Sequence, residues 1–257
     1  MRTLTYTSRL AILAAGVALL VVGCVPSASA QQSQPPFTSA AQASQALYQA
    51  AKGGDQAALN AILGPELEPS DNDIEGKTNQ ERFVQKYNEM HRLIREPDGT
   101  TVLYIGAENW PFPVPLLEQN GKWQFDAQAG SKEILARQIG RNEITALQIC
   151  EAFVTDANGG GANHGAIQQF ALALHNRSNT NSISHANAFG GYAFKVIDDK
   201  GDSVGLVAYP VEYRESGIVT FIVTPNGSLY QKDLGVHTAE LAQKVRGKPA
   251  GDWLQVR

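Results

Sequence analysis

Two cysteines in 257 residues leave no room for a disulfide framework, and charged residues make up only 18% of the chain. The scarcity of thiols means that stability must come from a packed apolar core. Long apolar runs are also scarce. The one that stands out is residues 10–23, LAILAAGVALLVVG. As a helix these fourteen residues rise only about 21 Å, short of the roughly 30 Å that a membrane span must cross. Arg2 and Arg9 precede or open the run, and small residues follow it at Cys24 and at Ala28-Ser29-Ala30. A charged start, a short apolar middle and a small-residue exit describe a secretory leader rather than an anchor helix. The expected location is therefore extracytoplasmic, periplasmic in a bacterium.

The exit from the leader admits two readings. Val21-Val22-Gly23-Cys24 resembles the lipobox of bacterial lipoproteins, which makes Cys24 a lipidation site and membrane attachment a matter of a lipid anchor alone. Ala28-Ser29-Ala30 before Gln31 fits ordinary signal peptidase, which yields a soluble periplasmic or secreted protein. The lipid-anchored form is the favoured expectation. Loss of Arg2 and Arg9 takes the formal charge from −4 to −6. That balance argues against nucleic acid or an anionic membrane surface as the main partner.

The fold class expected is α+β. A helical N-terminal part carries a small antiparallel sheet, a long central helix follows, and a C-terminal antiparallel sheet closes the chain. The boundaries read as a leader at 1–30, a tether at 31–36 and an N-terminal α+β lobe with the long helix at 37–155. A glycine- and asparagine-rich connector at 156–191 leads to a C-terminal sheet lobe at 192–257. Thr38 or Ser39 caps a first helix that Gly53-Gly54 stops, and Asp55 caps a second that ends at Gly64-Pro65. An amphipathic helix is expected over 79–95, through Phe83, Tyr87, Met90, Leu93 and Ile94. Strands are expected at 101–105 and 110–117, the second carrying Pro111, Pro113 and Pro115 at period two. Each proline removes a backbone donor, so this segment belongs at a sheet edge or is paired on one side only. Asn120-Gly121 marks a hairpin tip.

Gly130 is read as the end of this region, and a helix over 131–155 shows an apolar arc wide enough to predict burial between two lobes. A short helix is expected at 166–175. Strands follow at 192–197, 205–209, 218–223 and 228–231, with a closing helix at 238–245.

The blocks NWPFPVPLLEQNGKWQFDAQAGSKEILARQIGRNEITALQIC, GYAFKVIDDKG, LVAYPVEYRESGIVTFIV and GSLYQKDLG, with KYNEMHRLI before them, carry a resemblance. Together they resemble an uncharacterised bacterial exported family, domain of unknown function twenty-nine fifty, over most of 37–235. The family usually has a GLYW-like segment and a longer glycine-rich hairpin before its ALVAYP strand. Here 158–190 is dissimilar and the hairpin is shortened to 199–203. The resemblance implies no activity.

The chemistry-bearing residues form no motif. His91, His164, His175, His185 and His237 make no His-x-x-x-His pair, although three of them share the polar connector. Asp71, Asp73 and Glu75 alternate without the glycine and distant glutamate of a calcium loop. Cys150 lies in an apolar helical context and reads as a buried small hydrophobe. Glu143, near the apolar stripe of the long helix, reads as a raised-pKa base or, preferably, as a structural partner of Arg137, Arg141 or a strand residue. Trp110, Phe112 and Trp123 read as lobe core in preference to a ligand platform. No residue is assigned as catalytic, cofactor-binding or metal-ligating. The expected role is a non-enzymatic binding or structural accessory protein whose partner is an envelope protein or cell-wall component. The alternative is a small-molecule pocket of hydrolase or isomerase type in the N-terminal lobe. The sequence sets no oligomeric state.

Overall fold

The computed structural model describes residues 34–64, 67, 73–157, 169–171, 173–174, 188–198, 204–224, 226–246 and 251–256. The leader with Cys24, Asp71, the glycine-rich joint, His164, His175, His185 and the turn at 199–201 lie outside these residues. So does most of the connector and part of the helix expected at 166–175.

The first helices form where the caps dictate. Ser39 Oγ accepts from the Gln42 N–H at 3.1 Å at the start of α1 (Ala40–Gly53). Gly54 ends that helix in the left-handed region, at φ 66°. Asp55 Oδ1 accepts from the Ala58 N–H at 2.9 Å and caps α2 (Gln56–Leu63). The next element departs from expectation. Helix α3 (Asp73–Glu89) starts earlier and stops earlier, and β1 (His91–Arg95) takes its place. Two physical facts end the helix. Gly106 donates its N–H to Lys86 O and Met90 O, at 3.0 and 2.9 Å, and HRLIR pairs in full register with β2 (Thr101–Ile105). Five register pairs outweigh the helical reading of Leu93 and Ile94.

Strand β2 buries Thr101, Leu103 and Ile105 on one face. On its other edge it pairs with β3 (Trp110–Pro111) and, at Thr101, with β4 (Leu116–Gln119). The proline-rich segment is thus a ladder strand for two residues only, on one edge of β2; beyond it Phe112 donates its N–H to Leu103 O at 2.7 Å and Pro115 O accepts from the Asp126 N–H at 2.8 Å. A hairpin through Asn120 (φ 52°) and Gly121 (φ 70°) leads to β5 (Lys122–Phe125). Helices α1–α3 cover this sheet around Leu47, Tyr87, Leu103, Leu116 and Phe125.

The long helix α4 spans Ala127–Ala157. Asp126 Oδ1 accepts from the Ala129 N–H at 3.0 Å at its start, so Gly130 lies inside the helix rather than before it. Its smallness serves packing instead: a Cβ there would lie 2.8 Å from Val114 Cγ1. The C-terminal half buries Ile149, Cys150 and Phe153 against Tyr192, Phe194, Leu206 and Phe221. The middle is open, with Ile134, Leu135 and Ile144 all exposed. The apolar arc is therefore not sandwiched between two lobes: it packs on the second sheet through Ile149, Cys150 and Phe153, while the N-terminal end of α4 meets the first-sheet region through Gly130 and Arg137.

The second sheet runs in the order β11-β10-β9-β8-β7-β6 and is antiparallel throughout. Its strands are β6 (Ala188–Phe189), β7 (Tyr192–Asp198), β8 (Val204–Pro210), β9 (Val219–Val223), β10 (Leu229–Asp233) and β11 (Leu254–Gln255). Alternation decides its two faces. Leu206 and Ala208 look toward α4, while Val207 and Tyr209 look toward α5 (Thr238–Lys244) and its Ala242. The architecture is α+β, with helices and a small antiparallel sheet, a long central helix, then an antiparallel sheet.

Candidate functional site

Helix periodicity builds an open groove on the first sheet. Asn79, Arg82, Phe83 and Lys86 recur at three- and four-residue spacing and share one face of α3. Ile134, Arg137 and Arg141 do the same on α4. Between them lie Ile105, Glu108, Trp110, Phe112 and Pro113, and the enclosed volume is about 570 Å³. Apolar groups thus make the floor, and four cations ring it.

Two of those cations are tied down. Lys86 Nζ stands 2.7 and 2.9 Å from the two Glu108 oxygens and 3.5 Å from Glu89. That hydrogen bond to Lys86 holds the Glu108 carboxyl below its ordinary pKa, and the bond to Glu108 raises Lys86 above its own. Arg137 gives its Nε–H to Glu133 at 2.7 Å and an Nη1–H to Pro111 O at 2.8 Å. Its guanidinium lies over the Trp110 ring, 5.0 Å from the centroid. Among the described residues, Arg82 and Arg141 meet no carboxylate.

The aromatic residues singled out from sequence divide. Trp110 is 42% exposed and belongs to the groove wall, which corrects its assignment to the core. Phe112 serves both, lining the groove while packing edge-on to Phe125 at 6.2 Å. Trp123 stays in the core periphery, its backbone exchanging two 2.8 Å hydrogen bonds with Phe37.

Of the structural partners expected for Glu143, the structure shows a strand residue rather than an arginine. Glu143 Oε1 accepts from the Ile218 and Val219 N–H groups at 3.1 and 3.2 Å. Asn142 Nδ2 donates to Ser216 O at 2.8 Å beside it. Asn142 and Glu143 therefore hold the loop between β8 and β9 onto α4. Replacing Glu143 with Ala strands two backbone donors, and a loss of about 3 kcal/mol in urea unfolding is expected. Glu143→Gln keeps an acceptor oxygen and is expected to lose about 1 kcal/mol. A wild-type stability for Glu143→Ala would show that the two hydrogen bonds carry no stability.

Cys150 is fully buried, and that burial pushes its thiol far above the usual range, so it is no nucleophile. His91 stacks on Tyr87, ring centroids 3.9 Å apart, and His237 closes a short 3-10 turn; neither lines the groove. Among the described residues no three His, Cys, Asp or Glu side chains stand close enough together to hold a metal ion.

Sequence reasoning singled out Trp110 and Phe112 as core, Phe83 and Ile134 as apolar helix positions, and Arg137 and Arg141 as partners for Glu143; it did not reach Asn79, Arg82, Lys86 or Glu108. The spacing of Arg82 and Lys86 with Phe83 was a signal, because it places cations beside an aromatic on one helical face.

No curated protein and no solved structure matches the chain. One family model does, in two pieces at residues 34–180 and 158–256 that overlap across 158–180 in the connector. Since those pieces span far more than half the sequence, the chain belongs to the family described as protein of unknown function (DUF2950).

Proposed function

We propose that this is an exported cell-envelope protein that acts by binding rather than by chemistry, with the groove over α3 and α4 as its recognition surface. The observation that carries the reading is the composition of that groove. An exposed Trp110 beside Ile134 leaves apolar surface open, and Arg82 and Arg141 leave charge uncompensated. No serine, cysteine or histidine lines it. Its carboxylate, Glu108, is neutralised by Lys86 and held ionised, which ill suits a general acid. A catalytic pocket built on Glu143 fits less well, since that carboxylate serves the β8–β9 loop. The partner class is an envelope protein or a cell-wall component, as the export leader suggests. Affinity capture from envelope extract with the tagged mature protein tests this. Retention of a partner that is lost with Trp110→Asp supports the reading, and identical retention by the variant contradicts it.

The same proposal includes attachment through Cys24, motivated by Val21-Val22-Gly23-Cys24. A diacylated and N-acylated cysteine holds a protein on a membrane stably, because burial of each methylene adds to the anchor. Cys24→Ala is expected to move the protein from the membrane fraction to the soluble one. A mature protein whose intact mass begins at Gln31 with no acyl group would overturn the anchor.

A further inference from the structure

We infer that the groove takes a ligand in which an oxyanion, carboxylate or phosphate, is joined to an apolar or aromatic group. This deepens the binding reading and rests on the same groove. The charge of the site sets the first half. Four cations stand against Glu108 within the groove and against Glu89 and Glu133 at its rim. The two that meet no carboxylate, Arg82 and Arg141, stand on opposite walls, one on α3 and one on α4. Arg137 adds to them. A guanidinium has five N–H donors, and two are engaged by Glu133 and Pro111 O, so three remain. Stacking on Trp110 and the pair with Glu133 hold that fork in place, which lowers the entropy lost when an oxyanion arrives. A cationic ligand would meet repulsion on both walls.

The floor sets the second half. Phe83, Ile105, Phe112 and Pro113 line it, with Trp110 and Ile134 open to solvent at its edges. A bare inorganic anion would leave those surfaces in water and gain nothing from them. A purely apolar ligand would bury them while stripping water from unpaired guanidinium groups. A ligand with both parts satisfies both surfaces, and about 570 Å³ suits a compact molecule or a single side group of a larger one. An extended polyanion is disfavoured, because the charge of −6 on the chain without its leader repels it beyond the groove.

Calorimetric titration of the mature protein with phenyl phosphate, inorganic phosphate, phenylacetate and benzyl alcohol tests this. Phenyl phosphate or phenylacetate is expected to bind more tightly than inorganic phosphate and benzyl alcohol, and the stronger of the two identifies the oxyanion. The double variant Arg82→Gln/Arg141→Gln is expected to weaken that aromatic anion at least about tenfold. Both arginines are exposed, so melting near the wild-type temperature confirms that the variant is folded. Unchanged affinity in the double variant, or no binding of either aromatic anion, overturns the inference. The two proposals fail separately. Capture of an envelope partner with no aromatic-anion binding removes this inference and leaves the binding reading standing. Groove-dependent anion binding with no partner captured does the reverse.

Discussion

Gly217→Ala is expected to destabilise the protein by about 3 kcal/mol, the upper end of ordinary overpacking costs. A Cβ on Gly217 would lie 2.6 and 2.7 Å from Cε2 and Cζ of Tyr192, and its hydroxyl oxygen is closer still. Neither partner can yield cheaply. Tyr192 is fully buried and donates its hydroxyl to Val219 O at 2.8 Å. Gly217 accepts from the Arg214 N–H at 2.8 Å, and the residues after it are fixed by Glu143. Tyr192→Phe removes only the hydroxyl and leaves the ring carbons in place. The double variant Gly217→Ala/Tyr192→Phe is therefore expected to melt no higher than Gly217→Ala. Urea unfolding checks both statements. A Gly217→Ala protein with wild-type stability would mean that the loop between β8 and β9 is not held as described.

The second large effect is a contrast between two aromatic residues. Phe125 is fully buried beneath α1–α3, edge-on to Phe112, and Phe125→Ala is expected to lose about 4 kcal/mol. Trp110→Ala removes a larger side chain yet is expected to lose only about 1 kcal/mol, mostly its stacking with Arg137. Size alone predicts the opposite order. The order follows from exposure, since a ring already in water loses little transfer free energy on removal. Equal losses would return Trp110 to the core and take the groove's wall away with it.

What was legible in the sequence was local. Ser39, Asp55 and Gly54 cap helices because their side chains or backbone freedom act within a few residues, and Asn120-Gly121 turns the hairpin for the same reason. Short strand patterns between turn signals placed β7 to β10 of the second sheet, but not the two-residue edge strands β6 and β11. The failures are of another kind. Leu93 and Ile94 continue the helical stripe of Phe83 and Tyr87, so periodicity alone favoured one long helix. The competing information was the turn signal Pro97-Asp98-Gly99, which makes HRLIR and TVLYI a hairpin, with Gly99 at φ 90°. Gly130 reads as a breaker until Val114 is known to press on it. Glu143 finds its partners 75 and 76 residues away, where no spacing rule reaches. The groove was half-visible for the same reason. Each wall has its own periodic signature, but their meeting over β3 is a tertiary fact.

The central claim is the proposal that the open groove between α3 and α4 is where this protein meets its partner. The most direct measurement is site-specific photocrosslinking in intact cells, with benzoylphenylalanine placed at Ile134 on the groove wall or at Lys122 on the exposed β4–β5 hairpin. The expected result is a discrete adduct from position 134 that is absent from position 122. No adduct from position 134, or the same adducts from both positions, would contradict it.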